Sequence, residues 1–483
     1  MKRITAVLAS ACLALALAGA ACSTTFGVAD DAGKYAEDGG AGFFTMLTQL
    51  GMTENRMAVF WDPSQPNTIV DQAFLDRAIP QAQSRGINLM FAVYPLKARA
   101  LVDTPNGIQL FAQYAAKVAQ RYPYVRKIIC LNEGNQPRFH QPQFDDAGNG
   151  ISGIVQEQAM AACYDALKGV NQNIDVIGFG FSPRGNDDFN ADSNVSRSPI
   201  LFIKDIGDAY RKSGRTRPIA DDVAIHCHPS LNTDAPSVGF AWPNAGCANV
   251  DRFEQAWWDA FHGTAQPVFQ ESGPHATKSD GPFVRLFVDE AGYQAQIPAS
   301  EARYYSGTEN IKPLDDATQG AYYSQLISMV ACDPNVALLN LFHLVDERLL
   351  PGWQSGLEYA DGTPRASYGL VRSAIAANQT CHGTVRTWAH TTRVVGARAD
   401  FTGLRRSFVV SVLEGFTYKV SVQRRGRTVT SAAGANPDGS LLFKLPSLKA
   451  GTYRVIVRVS AQTNPDRVTT FTKSFRVGND VRV

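Results

Sequence analysis

Short apolar runs alternate with amphipathic stretches through the first 380 residues, and the alternation is regular enough to count. TFGVAD (25–30), NRMAVFW (55–61), INLMFAVYP (87–95), VRKIICLNEG (125–134), NIDVIGFGFSP (173–183), DVAIHCHPS (222–230), VRLFVDEAGYQ (284–294) and NVALLNLFHLVDE (335–347) read as strands. MLTQLG, FLDRAIPQAQSRG, GIQLFAQYAAKVAQRYP, QEQAMAACYDALKGV, PILFIKDIGDAYRKSG, FEQAWWDAFHGT, GAYYSQLISMVAC and ASYGLVRSAIAANQ fall between or after them and read as helices. Eight strand–helix units over roughly 350 residues predict an α/β fold, a (β/α)8 TIM barrel over 25–380. A doubly wound sheet is the alternative, but no Gly-x-Gly-x-x-Gly follows the first strand.

Beyond Cys381 the period changes to two. TVRTWAH, RVVGARADF, RSFVVSVLEG, TYKVSVQRR, SLLFKLP, GTYRVIVRVS and FTKSFRV alternate apolar and polar positions between Gly, Pro, Asp and Asn turns. That pattern predicts a C-terminal all-β, immunoglobulin-like sandwich over 385–483, with the boundary between 380 and 388.

Composition adds a compartment and a charge asymmetry. MKRITAVLASACLALALAGAAC has a basic start, a short apolar run and small residues at Ala18, Gly19, Ala20 and Ala21. It reads as an export signal over 1–21, which makes the protein secreted or attached to the cell envelope. Cys22 competes as a lipid anchor, although Gly19 stands where a bacterial lipoprotein signal prefers leucine. The remaining cysteines contain no C-x-x-C pair, so no structural zinc is expected. In an oxidising compartment six of them can pair, with Cys227–Cys247, Cys130–Cys163 and Cys332–Cys381 as the expected bridges.

The net charge of +2 hides a division, because the residues from Cys381 onward carry 17 Lys plus Arg against 5 Asp plus Glu. The tail is therefore +12 and the rest −10. A basic module can hold an exported protein near an anionic envelope polymer, or its arginines can protect sheet edges. No nucleic-acid-binding motif is present, and the chain is expected to be a monomer.

Barrel enzymes place reacting groups at the carboxyl ends of strands. Those ends carry Arg56, Asn132, Glu133, Asn135, His226, His228, Glu290, Tyr293 and Gln294, with Trp61, Tyr94, Trp242 and Trp353 as candidate aromatic platforms. Glu133 and Glu290 both end hydrophobic strands, and paired carboxylates suit cleavage of a glycosidic bond. Strand alternation should turn Asp289 away from Glu290 and leave it structural. Asp346 and Glu347 at the end of the eighth strand compete for a role as caps or hydroxyl ligands. His226 and His228 could suggest a metal, but no carboxylate at matching spacing completes a site, and neither metal nor cofactor is expected.

Asn132-Glu133 on strand four, with Glu290 on strand seven, resembles the retaining glycoside hydrolases with (β/α)8 barrels. NEGNQ is similar to the Asn-Glu-Pro-Asn of xylosidase-like and exopolysaccharide-hydrolase members. The resemblance implies Glu133 as acid/base, Glu290 as nucleophile and Asn132 as ligand of the sugar 2-hydroxyl, and it aligns Asn135 with the motif's final Asn. It also implies that Arg56, with His228 or Tyr293, orients Glu290, and that Trp353 floors the sugar subsite; His226 rivals His228. The chain departs from the motif at Gly134, where proline is usual, and in VDEAG. A retaining pair should stand about 5–5.5 Å apart, against roughly 6.5–9.5 Å for an inverting one.

The implied function is an exported retaining β-glycoside hydrolase acting on a polysaccharide or oligosaccharide. The alternative is a non-catalytic carbohydrate-binding barrel of the envelope. An esterase would need a Gly-x-Ser-x-Gly elbow, and none follows a strand. The loop 181–198 and the insert 232–250 are expected to shape the subsites.

Overall fold

The computed structural model describes residues 24–270, 282–331, 333, 335–379, 398–400, 407–411, 416–436, 440–444, 448–461 and 468–477. The leader, Cys22, the Cys332–Cys381 pairing and the TVRTWAH strand lie outside these residues.

Eight parallel strands close on themselves: β1 (Thr25–Ala29), β2 (Glu54–Trp61), β3 (Asn88–Pro95), β4 (Lys127–Cys130), β5 (Asp175–Phe181), β6 (Asp222–His226), β7 (Leu286–Ala291) and β8 (Val336–Leu341). Closure is made by β1 against β8, with Gly27 opposite Asn340. Helices α1 (Ala32–Tyr35), α2 (Ala41–Leu50), α3 (Gln72–Ser84), α4 (Ala100–Asp103), α5 (Gly107–Arg121) and α6 (Ser152–Val170) follow the first four strands. α7 (Pro199–Ser213), α8 (Val250–Phe261), α9 (Asp316–Val330) and α10 (Ala366–Asn378) follow the other four. The (β/α)8 barrel is thus the fold.

The apolar pattern divides into two cores. Met90, Ala92, Ile129, Ile177, Ala224, Phe287 and Leu338 fill the barrel interior. The alternate strand residues pack outward on helix stripes, such as Phe111, Ala115 and Val118 of α5. Helix starts follow local chemistry. Asp315 Oδ1 accepts the Thr318 N–H at 2.8 Å ahead of α9, and Pro199 opens α7, where its missing N–H costs nothing.

Extra residues interrupt the parallel register between β5 and β6, between β6 and β7 and between β7 and β8, and the first two bear on the site. Between β6 and β7, Ile225 pairs with Val288 but His226 pairs with Glu290, so Asp289 is the bulged residue. Between β5 and β6, Gly178 pairs with Val223 and Phe181 with Ile225, and the inserted turn has Phe179 and Gly180 at φ 79° and 52°. Bulges re-aim side chains beside functional sites, and both of these do so here.

The C-terminal residues form antiparallel sheets, a β-domain after the barrel. One has the order β13 (Ser440–Lys444), β10 (Ser407–Ser411), β9 (Arg398–Asp400). The other has the order β12 (Arg427–Asn436), β11 (Phe416–Arg424), β14 (Gly451–Ala461), β15 (Val468–Val477). β12 is not expected from the hydrophobic pattern, because RTVTSAAGAN is rich in Ala and Gly. It forms because Arg425 and Gly426, at φ 50° and 78°, make a tight hairpin that returns the chain along β11. Val420, Val422, Val455, Val457 and Val459 give the four-stranded sheet one buried face.

Cys130–Cys163 and Cys227–Cys247 are bonded, two of the three expected bridges. The first ties β4 to α6. The second closes the β6–α8 loop next to His228.

One buried carboxyl makes barrel stability depend on pH. Burial, with Asp30 and Asp361 nearby, pushes Glu358 up to about 7. The folded chain therefore holds a proton that the unfolded chain releases near pH 4.5. This contribution is full below that value and is lost as pH rises through about 7. Glu358→Gln should raise the melting temperature at pH 8 by a few degrees, for about 1–3 kcal/mol, and leave it nearly unchanged at pH 4.5; thermal scans at the two pH values check this.

Candidate active site

The carboxyl ends of the strands open into a cleft of about 1730 Å³, room for more than one sugar ring. Its floor is a cluster of charges. Arg56, on β2, reaches three partners. Its Nη1 lies 2.9 Å from Glu290 Oε1, its Nε 3.0 Å from Asp289 Oδ2, and its Nη2 donates to Asn132 Oδ1 at 2.5 Å. His226, fully buried on β6, places Nδ1 2.8 Å from Glu133 Oε1 and 3.4 Å from Glu290 Oε2. Its Nε2 faces Asp289 Oδ1 at 3.5 Å. His228 Nε2 is 3.2 Å from Glu290 Oε2.

A single nitrogen 2.8 Å from one carboxylate oxygen and 3.4 Å from the other bounds the separation of those two oxygens at 6.2 Å. The two glutamates thus belong to one site.

The charges tune one another. Burial alone would raise the Glu290 carboxyl, but His226, Arg56 and the His228 hydrogen bond outweigh it and hold it well below the usual carboxylate range. Burial opposes a charge on His226 as well, and there Glu290 and Asp289 win and raise it well above the ordinary histidine value. Arg56 is raised by the same two acids against its own desolvation. The result is an ionised Glu290 beside an imidazolium that also hydrogen-bonds Glu133.

Asp289 corrects an expectation. Simple alternation would send it to the opposite side from Glu290, but the bulge turns both carboxylates inward, where Asp289 joins Arg56 and His226. It is structural in the sense that it touches no cleft surface, yet it belongs to the electrostatics of the site.

The NEGNQ segment is strained where the acid sits. Leu131 and Glu133 have φ of 75° and 40°, and the Glu133 N–H donates to Gly180 O at 2.9 Å. Gly180 needs its own positive φ, and a Cβ there would come 3.1 Å from His226 Nε2. Gly134 is not a hinge. A Cβ on it would lie 2.3 Å from Gln156 Oε1, so glycine allows the loop to press on the buried Gln156 of α6.

The other expected residues divide. Asn132, Tyr94 and Trp353 line the cleft. Tyr94 stacks edge-on with Phe60 and Phe139, and Trp353 lies 4.5 Å from the His228 ring and 5.1 Å from Phe342. Four do not reach it. Asn135 is fully buried and committed to Ser182 and Arg197 backbone groups. Trp61 points outward onto Phe111 of α5. Tyr293 packs on Tyr322 and Tyr323 rather than on Glu290. Trp242 packs against the helix-side core. Of the two competing acids, Asp346 is braced by Arg365 and Tyr305, while Glu347 accepts the Trp353 backbone N–H at 2.9 Å and so anchors the loop that carries that ring.

Phe60 and Phe342 line the cleft and were legible only through parity: Phe60 shares a face with Arg56, and Phe342 with Leu338. Both loops expected to shape the cleft do line it, through Arg184, Asn186 and Asn194 of one and Asn232, Thr233 and Asn244 of the other.

His226, His228 and Glu290 also offer ligand atoms within 4.8 Å of one another. Their chemistry suits a proton rather than a metal. Glu290 Oε1 is taken by a guanidinium and His226 Nδ1 by Glu133, and a cation would face Arg56 directly.

No family model matches the chain, and no curated protein sequence matches it. Solved structures similar to it include a family 39 glycoside hydrolase from Bacteroides cellulosilyticus WH2, at 14% identity over 95% of this chain and 81% of that one, TM-score 0.49. GH5_18 from Streptomyces cattleya in complex with GlcNAc is similar at 14% identity over 75% and 82%, TM-score 0.48. A calcium-binding mutant of Bacteroides uniformis beta-glucuronidase 2 is similar at 11% identity, TM-score 0.44; the match covers 95% of this chain but only 45% of that longer one. At these scores the likenesses carry no argument about the reaction, which rests on the side chains above.

Because Asp289 helps keep the proton on His226, Asp289→Asn should lower the His226 titration midpoint. Histidine Cε1–H NMR titration reads this directly; an unmoved midpoint would remove Asp289 from that role.

Proposed function

We propose that the chain is an exported retaining β-glycoside hydrolase acting on an oligosaccharide or polysaccharide. The observation that carries the reading is the pair Glu133 and Glu290 on one imidazole nitrogen, with oxygens no more than 6.2 Å apart. That bound, on one oxygen of each acid, accommodates the roughly 5–5.5 Å between carboxyl groups of a retaining pair.

Glu290, ionised and held by Arg56 and His228, attacks the anomeric carbon. The C–O bond to the leaving group breaks, and Glu133 gives its proton to the departing oxygen. Because the His226–Glu133 pair shares hydrogen-bonded protons, imidazolium plus carboxylate can interconvert with imidazole plus carboxylic acid without bulk water. In the second step Glu133 takes a proton from water, whose oxygen attacks the glycosyl ester and releases Glu290. Asn132, with Oδ1 fixed by Arg56, has its amide N–H groups for a sugar hydroxyl. Trp353 and Phe342, packed on the ring of His228 that hydrogen-bonds Glu290, suit the apolar face of the attacked ring.

The leader-like N-terminus supports export. The +12 tail supports retention at an anionic envelope polymer, which should release the protein at high salt.

The test is Glu290→Ala assayed on aryl glycosides with and without azide. Turnover should fall by about 10⁴-fold, and azide should restore it with formation of the inverted glycosyl azide. Turnover that survives Glu290→Ala without azide would overturn the nucleophile assignment. Binding of sugars that is indifferent to both Glu133→Gln and Glu290→Gln, with no turnover of any glycoside, would make the protein a binding barrel instead.

A further inference from the structure

The two walls of the cleft treat charge differently. On the β1 and β8 side, every carboxylate is engaged by the protein itself. Asp30 accepts N–H groups of Ala32, Leu344 and Val345; Asp31 pairs with Lys34; Asp346 pairs with Arg365; and Glu347 holds Trp353. On the β4 to β7 side stand Arg138, Arg184 and Lys312, all exposed and all lining the cleft. Among the described residues none of the three has a carboxylate partner.

These cations sit on a wall built by hydrogen bonds. The Gln136 side chain donates to Arg184 O, Arg184 Nη1 donates to Ser230 O at 3.1 Å, and Asn232 Nδ2 donates to Lys312 O at 3.1 Å and Gln294 O at 2.9 Å. The loops after β4, β5, β6 and β7 are thereby joined in series, which limits how far the three charges can separate. The charges also run against the region they belong to, since the chain before Cys381 is −10 overall. Arg138 lies five residues beyond Glu133, the proposed general acid, on the same loop, and both line the cleft.

We propose that this wall binds an anionic saccharide unit, whose carboxylate or sulfate group engages Arg138, Arg184 and Lys312 on the leaving-group side of the cleft. Three cations on one wall without carboxylate partners suit an oxyanion by charge-assisted hydrogen bonds, and a neutral sugar would leave their charges in water. The assignment of the leaving-group side rests on the hydrolase reading; the preference for an anion does not.

The test uses the full chain and disaccharides, small enough that the basic tail adds no multivalent attraction. Each uronate-containing disaccharide is paired with its carboxyl-reduced form, and each 6-sulfated one with its unsulfated parent. Calorimetry should give at least about tenfold tighter binding for the anionic member in one arm, and the arm that responds identifies the carboxylate or the sulfate. The preference should shrink with added salt. It should vanish in the triple variant Arg138→Gln, Arg184→Gln, Lys312→Gln, while Arg372→Gln on α10, a charge removed away from the cleft, keeps it.

Equal binding of charged and neutral members overturns the proposal, as does a preference that survives the triple variant. So does the absence of any anionic member binding below roughly 1 mM. Turnover of neutral glycosides without charge preference would defeat this inference and leave the hydrolase; charge-selective binding without turnover of any glycoside would do the reverse.

Discussion

Arg56 is a guanidinium taken almost wholly out of water, and a buried cation is tolerated only where anions and acceptors surround it. Here those partners are Glu290 and Asp289 of strand seven and Asn132 just beyond strand four, while Arg56 itself comes from strand two. The arrangement forces three separate strand ends into one register, and the bulge at Asp289 is what lets a single strand deliver two of the anions. Remove the extra residue and one carboxylate would face the helices, leaving the guanidinium short of charge. Much of the geometry at the barrel mouth follows from satisfying this one side chain.

His226 extends the same logic to protons. It is buried among three carboxylates, so its charge is favoured despite desolvation, and it links the two glutamates that carry the proposed chemistry. The strained backbone at Glu133 and the glycine turn at Gly180 belong to this contact, since both bring β4 and β5 close enough for the imidazole to reach. Polar interiors of this kind work only when the members are mutually supported, and Asp289 supplies support from below without touching the cleft.

Most of the barrel was legible because parallel strands buried on both faces are written as uninterrupted apolar runs, and all eight occupy the expected segments. The candidate site was legible to the extent that strand ends are. Arg56, Asn132, Glu133 and Glu290 converge. Trp61 and Tyr293 were included by proximity to strand ends, although each stands an odd number of residues from a lumen-facing neighbour, Trp61 five from Arg56 and Tyr293 three from Glu290, and so points to the helices. The Asp289 bulge had no such signal, since VRLFVDEAGYQ gives the same apolar pattern with or without an extra residue. Asn135 misled for another reason: an amide after a catalytic-looking Glu reads as a ligand, and only the loop contacts with Ser182 and Arg197 reveal a brace. β12 escaped because its register is held by a two-residue turn and a partner strand, not by its own side chains.

The left-handed backbone at Glu133 has an evolutionary side. That conformation suits glycine, asparagine and aspartate and penalises a longer side chain by of order 1 kcal/mol. Replacing the acid by asparagine would therefore ease the chain while abolishing proton transfer, so along this path stability and chemistry pull in opposite directions. A barrel of this design sits one substitution from a relative with the same fold and without the proposed acid. The backbone at position 133 alone would favour a shorter side chain, and what speaks for glutamate there is its contact with the buried His226 and the chemistry proposed for it.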